Sequence, residues 1–280
     1  MASFSKFIRP ETPTRGVITE RDLDIVEAIL RYRFSPTSEV TRLVGGHPDV
    51  TFRRLRMLWE KQVINRFAFP KIPNHGEFIY YLDNRLALEL LAQHQRLVEI
   101  HPQMEEELRL NREADYAGAV VRGQHMKLGF LQHSLMISRL HFMLEMSSRS
   151  AEGTVQLADW RQGGELRDRK VEVPEIKSRR VEGTNEYTWE EQARTYRLPV
   201  EPDALFSLRF PSPSGDQLSH FCYEADRGTM PMADMLKKLR AYYHFHQAPA
   251  EAPRSVRCPS DPRRACGNFE RRTGAQANGA

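Results

Sequence analysis

The stretch from Pro202 to Thr229 constrains this chain most, because it reads as a β-hairpin with carboxylates at fixed ends. From Asp203, strict alternation sets Ala204, Phe206, Leu208 and Phe210 on one face, with Leu205, Ser207 and Arg209 on the other. Pro211, Ser212, Pro213, Ser214 and Gly215 supply turn chemistry. The return strand, Leu218 to Ala225, runs into Glu224-Ala225-Asp226. If the strand persists that far, its period of two places Glu224 and Asp226 on one face, with Asp203 across the hairpin. Three carboxylates at one sheet end are either a cation site or a solvated rim. Magnesium takes oxygen ligands, so such a set suits Mg2+ if the site is active; otherwise no cofactor is expected.

The N-terminal part has a different pattern. Residues 1–17, with Pro10, Pro13 and Gly16, read as a loose arm. Thr19-Glu20-Arg21-Asp22 resembles a capping box and opens a helix whose stripe is Leu23, Val26, Ile29 and Leu30. Ser35-Pro36 starts a second helix carrying Val40, Leu43 and Val44, and Gly45-Gly46 ends it. Asp49 reads as the N-cap of a third helix, Val50 to Gln62. Val63 to Lys71 and Glu77 to Asp83 then read as two strands around Pro73-Asn74-His75-Gly76, followed by a helix from about Asn84 to Gln95. Three helices, a tight turn before the third, and a hairpin match a winged helix-turn-helix.

In such a unit the third helix enters the major groove of double-stranded DNA. Leu55, Leu58 and Trp59 face the core, while Arg53, Arg54, Arg56 and Lys61 project elsewhere. Thr51 and Phe52 stand near the helix start, within reach of base edges, and Lys71 and His75 at the wing tip reach neighbouring phosphates. Arginine offers a two-pronged hydrogen bond to guanine or phosphate. The rival reading is a solvated helix face on a winged helix that joins a protein assembly.

Residues 97–127, polar and with the acidic run Glu105-Glu106-Glu107, read as a linker or surface helix. Leu128 to Ser147 reads as a helix; its His133 and His141 are two turns apart, too far to share one ion, and are expected as core or surface histidines. Val155 to Trp160 reads as a strand, Lys170 to Gln192 as an irregular insertion, and Arg194 to Val200 as a return to the sheet. Beyond Gly228, Met232, Met235, Leu236, Leu239, Tyr242 and Tyr243 recur at helical spacing, with Lys237, Lys238 and Arg240 between them. From Ala248 on, Ala, Pro, Gly and six arginines replace all periodicity, which predicts a disordered tail able to touch nucleic acid through charge. That tail holds most of the net charge of +4, so any basic patch elsewhere must be local. Three cysteines without CxxC spacing suggest neither a disulfide framework nor a zinc site; Cys222 is expected to be a buried strand residue. With no membrane-length apolar run or signal peptide, the expectation is a cytoplasmic protein with no membrane partner.

The order of these features resembles the replication-relaxation family, over roughly Ile18 to Phe245. The resemblance rests on Pro202-Asp203-Ala204 and Glu224-Ala225-Asp226-Arg227-Gly228-Thr229, and more loosely on Leu131-Gln132-His133 and the Trp160–Glu165 pairing. It implies DNA work on a plasmid or other mobile element, in replication, DNA relaxation or transcriptional control, with other replication or mobilisation proteins as partners. A homodimer on paired half-sites is compatible with a winged helix. The second half also looks like a reduced PD-(D/E)xK nuclease core. That likeness implies Asp203 and Glu224 as the acids that hold a divalent metal, but Asp226 stands where the catalytic lysine belongs, a place that Lys237 or Lys238 could fill from the next helix. The alternative function is therefore a metal-dependent DNA endonuclease, with Asp203, Glu224, Asp226 and Lys238 as catalytic residues. The expected fold is α+β: a winged helix over 18–96, a linker over 97–127, a nuclease-like α/β domain over 128–247, and a tail over 248–280.

Overall fold

The computed structural model describes residues 9–14, 16–68, 77–98, 100, 102–115, 125–151, 153–166 and 169–247. The wing-tip residues Lys71 and His75, and the tail from residue 248, lie outside them. The described chain is mixed α and β, with seven helices and three small antiparallel sheets.

Helix α1 (Glu20–Tyr32) starts at Thr19, whose backbone N–H and hydroxyl both donate to Asp22, at 2.7 and 2.8 Å. Asp22 is fully buried and also meets the Arg54 guanidinium through both carboxylate oxygens. One acid thus caps α1 and clamps it to α3. After the short strand β1 (Ser35–Pro36) comes α2 (Thr37–Val44), which ends on Gly45 and Gly46, both with positive φ. An L side chain is strained there, so two glycines make the turn that aims the next helix. Helix α3 (Pro48–Glu60) begins two residues earlier than expected. His47, not Asp49, is the cap, and Pro48 supplies a φ already suited to the first turn. Strands β2 (Asn65–Ala68) and β3 (Phe78–Tyr81) follow, giving the sheet order β1-β3-β2. Helix α4 (Leu86–Gln93) buries Ala87, Leu88 and Leu91 against Leu23, Ile25, Leu55, Leu58 and Ile64. Within the span read as a connection, α5 (Pro102–Asp115) adds Leu108 to this same core.

Helix α6 (His125–Ser150) joins the two halves. Its Leu131 packs with Phe34, Ile79 and Tyr81 of the N-terminal part. Its His141 ring lies between Tyr32, at 4.4 Å, and Trp160, stacked at 4.2 Å. Trp160 belongs to β4 (Gln156–Gln162), which pairs with β7 (Ala204–Phe210), and β7 pairs with β8 (Gln217–Tyr223). Register places Trp160, Phe206 and Phe221 side by side, with ring centroids 5.6 and 4.9 Å apart. The hairpin expected around residues 211–216 is therefore present, but β8 is the edge of its sheet. That corrects the expectation for Cys222, which is exposed.

The stretch from Lys170 is not an irregular insertion. It forms β5 (Lys170–Arg180) and β6 (Tyr187–Pro199), paired as a separate two-stranded sheet through a turn in which the Val181 N–H donates to the Glu186 carbonyl at 2.9 Å. Residues 194–199 accordingly pair with β5 and do not extend the β4-β7-β8 sheet. The outer ribbon is solvated on both faces, so polar residues occupy both and no alternation marks its strands in the sequence. Only its base is covered: Val171 and Val173 pack with Val200 and with Ala241 and Phe245 of α7 (Met232–Gln247).

Candidate functional site

The end of the β7–β8 hairpin lines a cleft of about 240 Å3, together with Gly129, Phe130 and His133 of α6 and Lys238 of α7. Asp203, Glu224 and Asp226 all border it, but they do not act alike. Asp203 Oδ1 is 3.1 Å from His133 Nε2, and its Oδ2 accepts the Ala225 N–H at 2.8 Å. His133 Nδ1 lies 3.1 Å from the Ala225 carbonyl. Both ring nitrogens thus face acceptors, an arrangement that only the doubly protonated imidazolium satisfies. The Asp203 hydrogen bond accordingly raises the His133 pKa, against a smaller opposing effect of burial. Burial pushes Asp203 up, but His133, the Ala225 amide and Lys238 outweigh it and leave its pKa lowered.

Glu224 is held from the other side. Its Oε2 accepts from Lys238 Nζ at 2.6 Å, and its Oε1 accepts from the Tyr242 hydroxyl. Burial first, then Glu224, keep that phenol protonated far above its ordinary range. Asp226 goes its own way. Strand β8 stops at Tyr223, so the period of two no longer applies, and the exposed Asp226 caps the Gly228 turn through a 2.9 Å bond from its amide. Lys237 turns to Asp234 at 2.9 Å. Of the two lysines considered, Lys238 reaches the carboxylates.

All four oxygens of Asp203 and Glu224 therefore have protein donors, two of them cationic. A divalent ion in this cleft would have to compete with His133 and Lys238, each of which holds one of these carboxylates. Among the described residues no group of three or more His, Cys, Asp or Glu side chains is arranged to hold a metal.

The other predicted site lies on α3. Phe52, Arg53 and Arg56 are exposed, and their spacing puts them on one helix face. Arg56 pairs with Glu60 at 2.8 Å, and Arg53 Nε donates to the Asp49 carbonyl at 3.3 Å. Thr51 is fully buried and accepts a 2.7 Å hydrogen bond from Arg21, so it faces the start of α1. Arg54 is taken by Asp22 and the Val17 carbonyl. Lys61 caps the far end of α3, about 13 Å along the axis from Phe52. The exposed face is thus smaller than the sequence suggested.

Sequence reasoning missed His133 and Tyr242 as site residues. Each sits within a helical apolar pattern that fits a core position, and the partners lie 70 and 18 residues away for Asp203 and Glu224 respectively. The Leu131-Gln132-His133 motif was the available signal.

A helical N-terminal half with a small sheet, joined by one long helix to antiparallel strands around a charged cleft, defines a two-part α+β protein with a helix face and a cleft as its candidate sites. The profile of the replication-relaxation family matches residues 27–259, and the chain belongs to that family. Membership points to a role in the replication or relaxation of a plasmid or other mobile element. No curated protein and no solved structure gave a significant match. No described helix is long and apolar enough to cross a membrane.

Proposed function

We propose that the protein binds double-stranded DNA of a plasmid or other mobile element through a winged helix formed by residues 18–96, and that the second half serves as a scaffold for replication or mobilisation partners. The observation that carries this reading is the exposed Phe52–Arg53–Arg56 face on α3, presented by two glycines and backed by α1 and α2. Among the described residues the guanidinium of Arg53 meets only a carbonyl, which a phosphate or guanine edge can replace. Arg54 and Thr51 support the helix from behind.

A titration of duplex DNA at several salt concentrations tests this. Log affinity falling linearly with log salt is the expected result, and Arg53→Ala with Arg56→Ala lowers the slope by about 2. Absence of binding at low salt favours the protein-interaction module instead.

A second reading, a metal-dependent nuclease, draws on one observation: Asp203, Glu224 and Lys238 line the same cleft. It requires His133 and Lys238 to release the acids. Cation-dependent nicking of supercoiled plasmid, lost in Asp203→Ala, would support it; equal cleavage by both proteins would sink it.

A further inference from the structure

The outer half of the β5–β6 ribbon has no covering element among the described residues, yet it carries the chain's most exposed tryptophan. Residues 177–191 are exposed without exception, Trp189 at 70% and Tyr187 at 61%. Large aromatics at such exposure mark a surface that meets something. The register is continuous from Ile176↔Glu191 to Arg180↔Tyr187, so directly paired residues share a face. Tyr187 with Arg180, and Trp189 with Ser178, therefore line one face. The serine opposite Trp189 is small and leaves the indole open.

The two faces differ in charge. On the opposite face Arg179 has Glu190 at 3.8 Å. On the aromatic face Arg180 donates only to neutral acceptors, the Thr184 carbonyl at 2.9 Å and Asn185 Oδ1 at 2.6 Å. Within the paired strands an acid first occurs on this face at Glu191, toward the base of the ribbon, while Glu182 and Glu186 stand in the turn beyond Arg180 and Tyr187. The aromatic face thus combines two open rings with a cation that, among the described residues, makes no ion pair.

We propose that this face binds single-stranded DNA, with bases stacking on Tyr187 and Trp189 and Arg180 meeting the backbone. Residues two apart on a strand stand about 6.7 Å from each other. That is twice the roughly 3.4 Å step of bases within a duplex strand. Neighbouring bases can seat on both rings only when unstacked, which a single strand allows and a duplex resists. A negative backbone complements Arg180. The assignment takes from the proposed function only that the nucleic acid is DNA; the site is separate from α3.

The test uses the full chain and fluorescein-labelled oligothymidylate, read by anisotropy and by tryptophan fluorescence. Trp59 is buried and Trp160 is stacked between rings, so quenching reports mainly on Trp189. Wild type is expected to bind with quenching, and Tyr187→Ala and Trp189→Ala each to weaken binding about tenfold. Trp189→Phe should retain affinity and lose the quenching. Arg53→Ala with Arg56→Ala should impair duplex binding and leave oligothymidylate binding intact, which separates failure of this site from failure of the α3 reading. Wild-type affinity in the Tyr187→Ala/Trp189→Ala double variant would overturn the proposal. So would tighter binding of oligouridylate, or a double variant that changes the sedimenting mass but not oligonucleotide affinity. The first would point to RNA, the second to a contact between copies of this chain.

Discussion

His141 is the residue whose environment departs most from its sequence context. It is 1% exposed, both ring nitrogens are unpartnered, and it lies between Tyr32 and Trp160. Burial, with a smaller contribution from Arg31, drives its pKa from 6.5 down to about 2. Because the folded pKa is depressed, the unfolded chain binds a proton that the native state refuses throughout this interval. Stability is therefore full above pH 6.5 and declines as pH falls below it, by up to about 1.4 kcal/mol per unit. His141→Phe keeps the stack and removes the proton. Urea titrations across acidic pH should find the variant's stability flatter below pH 6.5; an unchanged slope would refute the assignment. His133 has the opposite shape, and Asp203 the same one at lower pH. Stability from the raised His133 pKa is present below 6.5 and lost as pH rises through the folded value, whereas stability from the lowered Asp203 pKa is present above 3.8 and lost as pH falls. Their pair contributes most between those limits, and His133→Gln should remove that local maximum from the stability profile.

At the scale of elements, two charged contacts fix how helices sit. Asp22 and Arg54 join α1 to α3, and removing one member leaves a buried charge unpaired. Arg54→Ala is expected to cost about 3 kcal/mol in chemical denaturation. Had Arg54 been a base contact, its loss would instead weaken DNA binding with stability unchanged. Lys238 and Tyr242 likewise hold α7 to Glu224 at the end of β8. Lys238→Met and Glu224→Gln should each destabilise the fold, and their double-mutant cycle should give a coupling of about 1–2 kcal/mol. Additivity would mean that the bond contributes nothing. Much at this scale was legible in the sequence: the helices α1 to α4, the strands β2 and β3, and the hairpin around residues 211–216 follow from caps, glycines and periodicity. The β5–β6 ribbon was not, because its outer strands bury neither face and so leave no alternation to read.

Across the described residues, α6 touches both halves through buried side chains, with Leu131 on one side and His141 on both. Leu131→Ala is expected to cost about 3 kcal/mol. It should also separate two unfolding transitions that coincide in the wild type, as followed by circular dichroism and tryptophan fluorescence. A single transition lowered as a unit would show that the halves are joined elsewhere. By itself the sequence determined the family, the helical N-terminal half and the acidic hairpin, since these depend on local periodicity, capping and short motifs. Only the tertiary structure decided what the acids do. Strand β8 ends before Asp226, which caps the Gly228 turn at the border of the cleft, while α6 and α7 bring His133, Lys238 and Tyr242 from distant positions onto Asp203 and Glu224. Sequence spacing gives side-chain direction only while a strand or helix continues; where elements from separate parts of the chain meet, packing sets the partners.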